Sequence, residues 1–549
     1  MRKKFLPERK RLLSSEKGTF FKKRYKLKIA LGFPNTYELG MSNLGFLTIY
    51  KLLNQIDEVF CERFFFFDYS PSEKVKTLES NLPLNHFSII AFSVAYELDY
   101  LNILKILKLS GIPLKSEQRG KNYPLVIAGG IAVSLNPETM ASFFDCLFIG
   151  ESEDVILEFV QKYLEFSKEK LSREKMLFCF SKVSGIYVPR FYKPYYNGCG
   201  WVTDIKAKQG VPKKVKKRKV DLFSIQTFSP IITHFSHFKD SFLVEVGRGC
   251  SRGCRFCAAG YLYRPTRFHT KENILDQVDF FAKDSKRIGL VGSLVSDFPE
   301  LERLCSTIYL KGFQIQISSF RVDKVSQPLL QILLKSGLKS LTIAPEVGSC
   351  KMWRVINKKI TKEDVLKSVE IAKDSGIKKL KLYFIVGLPW EDENDIDAIV
   401  ELITEIHRIY KKGRITLSVN PFIPKANTPF QWTYMNKESE LKFKLKTIFE
   451  KTKSFSNVFF EKKSIREALL QGILSLGNRR VGEALYYRVV EGLNFTKAWQ
   501  KAKVNFDFFV FEKKDFSLFF PWDIIDTGID KRFLIKEFKK AEKESKFKI

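Results

Sequence analysis

Six short apolar segments, each followed by a helical pattern, run from 241 to 430, and the first feeds straight into three cysteines. The segments are Ser241–Gly247, Ile288–Gly292, Phe313–Ser319, Ser340–Pro345, Lys379–Gly387 and Ile415–Ile423. Helical periodicity between them, as at Lys362–Asp374, gives a strand–helix alternation that a parallel sheet satisfies. Six such units predict an open (β/α)6 barrel. Barrels of this kind carry their chemistry at the carboxyl ends of the strands. The run Gly247-Arg-Gly-Cys250-Ser-Arg-Gly-Cys254-Arg-Phe-Cys257 stands at that end of the first strand.

The spacing C-x3-C-x2-C lets three thiolates grip one inorganic centre. A cubane iron–sulfur cluster normally takes four cysteines, so three leave one iron open to a small molecule. Gly247, Gly249 and Gly253 allow a tight loop. Arg248, Arg252 and Arg255 are expected to offset the charge of an anionic cluster. A structural zinc site calls for a second ligand pair at fixed spacing. None follows: the nearest later histidine is His269 and the next cysteine is Cys305. A disulfide pattern would leave one of the three odd.

With an aromatic residue before its last cysteine, this loop resembles the signature of the radical S-adenosylmethionine (SAM) superfamily. The resemblance implies a [4Fe-4S] cluster on Cys250, Cys254 and Cys257, with SAM chelating the open iron. It implies one-electron cleavage of SAM to a 5'-deoxyadenosyl radical, and a reductant partner such as a flavodoxin or ferredoxin. The other strand ends then become SAM contacts: Gly292 and Ser293 for the amino group, Ser318, Ser319 and Arg321 for ribose or carboxylate, Glu346 for ribose, and Gly387 for close approach to adenine. Asn357 and Lys358 match a recurrent superfamily pattern, although a helix C-cap also explains Asn357. Cys350 lies at the same mouth, and a reactive role there needs an electropositive, exposed setting.

Residues 25–170 alternate in the same way. Leu27–Phe33, Phe87–Val94, Leu125–Ala128 and Asp145–Ile149 read as strands, with Ser42 capping a helix Asn43–Asn54. A doubly wound, Rossmann-like parallel sheet follows, with ligands beyond its strand ends. The segment resembles the cobalamin-binding-like domain upstream of many radical SAM cores, through Gly129-Gly130, Asn136-Pro-Glu138, Asp145 and Gly150-Glu151-Ser-Glu153. The D-x-H-x-x-G motif of histidine-ligated cobalamin is absent, and His86 is the one histidine before His234. Cobalamin held without histidine and a domain that binds none both stay open.

The expected organisation is a basic arm over 1–24, the Rossmann-like domain over 25–170, a connector with a basic linker over 171–240, the radical SAM core over 241–430, and a mainly helical extension over 431–549. Along its length the chain resembles a radical SAM family with a cobalamin-binding-like N-terminal domain. The motifs are Pro34-Asn-Thr-Tyr-Glu-Leu-Gly40, Tyr263-Arg-Pro265, Ile343-Ala-Pro-Glu346, Pro424-Lys-Ala-Asn-Thr-Pro429 and Pro521-Trp-Asp523. No cysteine follows Cys350, so a second cluster is not expected.

Nine cysteines with one tight trio suit a reducing cytoplasm. No apolar run reaches membrane-spanning length, and the first residues lack the apolar core of a signal peptide. The 93 Lys and Arg against 61 Asp and Glu give a net charge of +32. That excess favours an anionic partner, and an RNA or ribosome-linked substrate is the expectation it raises. A proteome-wide lysine bias explains it equally. The densest block is Lys206–Lys219, with eight positive residues in fourteen. It reads as a solvated linker or sheet edge, with a phosphate-contacting arm as the alternative.

The function expected is a radical SAM enzyme, performing methylation if cobalamin binds, or methylthiotransferase-like or other RNA-modifying chemistry without it. The rival is a non-catalytic iron–sulfur or cobalamin sensor, which would need no SAM contacts at strands two to five.

Overall fold

The computed structural model describes residues 5–67, 73–318, 320–461 and 463–546. It divides into two units. One comprises Met1–Phe242, Ile473–Phe509 and Ser517–Gly528, the other Leu243–Gly472, Val510–Phe516 and Ile529–Ile549. The stretch 431–549 is thus shared between the units. Its helices Arg479–Val490 and Phe495–Lys501 belong to the first, and Lys531–Ser545 to the second. Among the described residues no helix is long and apolar enough to cross a membrane.

The first unit is built on a six-stranded sheet in the order Val59–Phe65, Leu27–Phe33, Ile89–Ser93, Leu125–Gly129, Cys146–Phe148, Ile186–Tyr187. The first five strands run parallel and the last antiparallel. The chain order reverses between Leu27–Phe33 and Ile89–Ser93, which makes this a doubly wound sheet with its switch point there. Sequence reading missed Val59–Phe65, because Glu62 and Arg63 interrupt its apolar run. Both charges are fully buried. Arg63 is held by Glu16 at 2.6 Å and Glu79 at 2.7 Å, and Glu62 accepts from Thr77 at 2.6 Å. Pairing of this kind is what a buried charge requires. The helix after the first strand is Leu44–Gln55, capped by Asn43 rather than Ser42. The Asn43 side chain reaches the Phe46 N–H at 2.9 Å, while the Ser42 hydroxyl donates to the Glu38 carbonyl.

The glycine and acid motifs at the strand ends are internal fasteners. A Cβ on Gly130, at φ +115, would lie 2.4 Å from the Val94 carbonyl oxygen. The Asn136 amide donates to the carbonyls of Ser475 and Gly477. Glu138 accepts two bonds from Arg479 at 3.0 Å each. Asp145 accepts from the Val126 N–H and from Arg173, both at 2.9 Å. Glu151 accepts from the Val220 N–H at 2.9 Å.

That last contact bears on Lys206–Lys219, expected as a solvated linker or a sheet edge. Lys206–Lys219 is a sheet-edge segment within the first unit. Val202–Ala207 pairs with Tyr192–Tyr196 in a hairpin, Val215–Lys216 pairs with Ile525–Asp526, and Arg218 bridges Gly150 at the end of Cys146–Phe148.

In the second unit all six expected strands form: Ser241–Arg248, Arg287–Gly292, Gln314–Ile317, Ser340–Glu346, Lys379–Val386 and Arg414–Pro421. They lie in chain order across two four-stranded sheets, with Arg267–Phe268 at one edge and Val458–Phe460 at the other. A parallel bridge from Phe320 to Ile343 links the sheets. Leu341 and Ile343, and Leu380, Leu382 and Phe384, are fully buried, while their alternates are half-exposed. One face of these two strands is therefore core and the other half-open, as in the strands of an open-sided barrel.

Candidate functional site

The cysteine loop begins where Ser241–Arg248 ends. Gly249 and Gly253 take φ values of +81 and +70, which an L side chain resists. A Cβ on Gly249 would lie 2.3 Å from the Tyr263 carbonyl oxygen, so the Tyr263-Arg-Pro265 segment seats directly on the loop. The Cys257 N–H donates to the Cys254 carbonyl at 3.1 Å, drawing the last two cysteines into one turn. All three cysteines are half-buried and reduced.

The loop arginines do a different job from the one expected. Arg248 is bound to Glu245 at 2.8 and 2.9 Å. Arg252 is bound to Asp297 at 2.7 Å. Arg255 is fully buried and donates to the carbonyls of Arg354 and Val355 and to Glu544 at 2.6 Å, with Glu537 at 3.2 Å. Their charges are already matched by carboxylates, so they position the loop rather than neutralise what it holds.

Arg252, Asp297, Arg321 and Asp323 form one ion network. Arg321 contacts Asp323 at 2.8 Å and Asp297 at 3.7 Å. It ties the cysteine loop to the ends of the second and third strands. From the other side, the Asn357 amide donates to the Gly253 carbonyl at 2.9 Å. Asn357 has φ +54, a conformation asparagine tolerates.

Glu346 is the strained residue of the site. It stands at φ +70 beside a register break in Ser340–Glu346. Such a conformation persists only where the surroundings over-determine it, and it clusters at functional positions. Lys358 supplies part of that constraint, bonding Glu346 at 3.0 Å and the Ala344 carbonyl.

Burial pushes the Cys254 thiol up to about 12, with Lys358 pulling the other way and Cys257, Glu346 and Cys250 adding to the rise. Burial also raises Cys257, with Cys250 and Glu346 contributing. Such thiols keep their protons until a metal displaces them. Among the described residues no three His, Cys, Asp or Glu side chains enclose a single metal ion. The three thiols nonetheless lie within electrostatic range of one another. Three thiols on one short loop are the donor type an iron–sulfur cluster takes, so the donor set fits such a cluster.

The expected SAM contacts fall into two groups. Gly292 packs against the first strand, where a Cβ would lie 2.9 Å from the Gly247 carbonyl oxygen. Ser293 and Ser318 are exposed at their strand ends, Arg321 sits in the ion network, and Ser319 lies outside the described residues. Gly387, at φ +81, is buried, and a Cβ there would lie 2.9 Å from Leu441. Its N–H donates to Glu391 at 2.8 Å. Glu391 is a residue the sequence reading missed. Burial raises its carboxyl against the pull of Lys444, bound at 2.7 Å, and its Oε2 has no hydrogen-bond partner. An acid four residues after a strand-end glycine was the available signal. Cys350 is exposed at the start of the helix Cys350–Val355.

Comparison with known proteins bears on this geometry. Residues 45–189 match the family described as radical SAM proteins, N-terminal, and residues 244–403 match the radical SAM superfamily. An uncharacterized protein of Methanocaldococcus jannaschii is 30% identical over 465 residues, covering 84% of this chain and 90% of that protein. The ribosomal protein uS12 methylthiotransferase RimO of Thermodesulfovibrio yellowstonii is 25% identical over 284 residues, covering 48% of this chain and 62% of that one. Among solved structures, the radical SAM methyltransferase TsrM of Kitasatospora setae aligns with a TM-score of 0.48 at 11% identity, covering 72% of this chain and 75% of that one. The first match runs nearly end to end, and the superfamily profile begins on the strand that carries the cysteine loop: the chain belongs to the radical SAM superfamily and is a radical SAM enzyme.

Proposed function

We propose that this enzyme holds a [4Fe-4S] cluster on Cys250, Cys254 and Cys257 and cleaves SAM reductively at it. The observation that carries the reading is the trio of half-buried thiols on one loop at the carboxyl end of the first barrel strand, held by the Arg252–Asp297 ion pair, the Asn357 amide and the Tyr263 segment. When bound, the cluster supplies one electron to the SAM sulfonium. The chain's own residues do the holding. Arg252, Asn357 and the Tyr263 segment fix the loop, so the cysteines are pre-positioned rather than gathered on binding. Glu346 and Lys358 stand where a polar ligand over the cluster would meet one anion and one cation. The exposed hydroxyls of Ser293 and Ser318 are free to take its remaining polar groups.

The experiment is iron and sulfide content after anaerobic reconstitution of the wild type and of Cys254→Ala. The reading expects loss of the cluster with an unchanged circular dichroism spectrum. Full iron content in the variant would overturn the ligand assignment.

Methylation with cobalamin is the second reading, favoured by the doubly wound order of the first sheet and its switch point. The residues present limit it. His86 lies in the turn Leu84–His86 that enters Ile89–Ser93, at the amino end of the sheet. The end of Cys146–Phe148 is covered by Arg218 and Val220 of the chain itself. A histidine-ligated cobalamin does not fit this unit. A cobalamin without a histidine ligand would lie over the switch point, beside Asn35 and Asp99. Visible absorption of protein purified with cobalamin supplied tests this: a bound corrinoid spectrum supports it, and its absence leaves chemistry that uses SAM alone.

A further inference from the structure

The hairpin of Tyr192–Tyr196 and Val202–Ala207 sets two lysines directly opposite each other. Lys193 pairs in register with Lys206. Like charges facing across a strand pair are destabilising. Neither lysine has an ion-pair partner among the described residues, and both are exposed. Their ammonium groups instead converge on one ring: Lys193 lies 5.6 Å and Lys206 5.1 Å from the centroid of Tyr195. Tyr195 is itself 39% exposed.

The basic run continues along the chain. The Tyr192 hydroxyl bonds the Pro212 carbonyl at 2.7 Å, which brings the next residues to the hairpin. Lys213, Lys214, Lys216 and Lys219 follow, all exposed and none in an ion pair among the described residues. The acids nearby are few. Asp204 stands opposite Tyr195 in the ladder, and Glu174 is occupied by Arg190 and Lys208.

We infer that this face binds single-stranded nucleic acid, with a base stacked at Tyr195 and backbone phosphates on Lys193 and Lys206. An exposed aromatic ring beside cations that no carboxylate neutralises is the combination that stacks bases and tracks phosphates without reading sequence. A phosphate between Lys193 and Lys206 also removes the repulsion that the isolated protein retains. An anionic membrane would draw the lysines equally but gives no reason for an exposed tyrosine ring within reach of both. The inference does not depend on the cysteine assignment, because its readout is oligouridine binding.

The test is fluorescence anisotropy of a labelled oligouridine of about twelve nucleotides with the full-length protein, at about 50 and 200 mM salt. Tyr195→Ala should weaken binding about fivefold or more, as loss of one stacked base does, with the salt slope unchanged. Lys193→Glu with Lys206→Glu should weaken it further and flatten the salt slope by about 1.4, the value for two single-strand phosphates. Both variants should keep the wild-type circular dichroism and SAM cleavage. Equal binding by wild type and variants overturns the inference, as does wild-type binding to vesicles with anionic lipid but not to oligouridine, or to neither.

Discussion

Arg255, between Cys254 and Cys257 in sequence, is bound through its guanidinium to Glu544 at 2.6 Å. The helix Lys531–Ser545 therefore forms one side of the cysteine loop's support. A fully buried guanidinium with its partners removed, or its partners left without it, is costly. Arg255→Met should lower stability by about 3 kcal/mol. Urea denaturation measures that loss, and the same variant should release iron faster to a chelator. An unchanged midpoint would show that the contact carries no load.

Asn357 holds the loop from the opposite side through the Gly253 carbonyl. Asn357→Gly keeps the backbone conformation at φ +54 and loses only the bond, so it should cost about 1 kcal/mol. Asn357→Ala adds strain and should cost more. The ordering of the two, read from thermal midpoints and cluster half-lives, separates loop anchoring from a plain helix ending.

Arg479 and Glu138 join the C-terminal helix Arg479–Val490 to the first sheet, and Tyr187 bonds the same carboxylate. Arg479→Met leaves a buried carboxylate behind and should destabilise the first unit by about 3–5 kcal/mol. Replacing both partners by Met and Leu should recover most of that. Denaturant melts of the single and double variants check it.

Burial pushes Asp99 from 3.8 up to about 6, against the bond from Asn35, with Glu97 adding to the rise. The folded value lies above the unfolded one, so this group favours folding while protonated. Its contribution is full below about pH 4 and is lost as pH rises through 6. Asp99→Asn should therefore raise stability at pH 8 by about 2 kcal/mol relative to pH 4. Urea midpoints at the two pH values decide it, and a parallel shift at both would contradict the assignment.

The barrel was legible because its strands are short apolar or alternating runs separated by helical patterns. Lys379–Val386 alternates buried and half-exposed residues along its whole length. Val59–Phe65 was not legible, since its central Arg63 is neutralised by Glu16 and Glu79 and its Glu62 is bonded by Thr77, all outside the strand. The loop arginines misled for the same reason: Glu537 and Glu544 lie far along the chain from Arg255. Spacing located the cysteines correctly within the fold, but it could not reveal that Gly387 is buried under Leu441 or that Glu391 takes its N–H. Asn136 and Glu138 carried a motif's appearance while serving as contacts to the segment after Ile473.

The most direct measurement is 5'-deoxyadenosine release from anaerobically reconstituted, dithionite-reduced enzyme supplied with SAM, compared with the variant in which Cys250, Cys254 and Cys257 are all alanine. The account predicts release from the wild type and none from the variant. Release at equal rates from both, or none from a wild type that has taken up its full iron and sulfide, would contradict it.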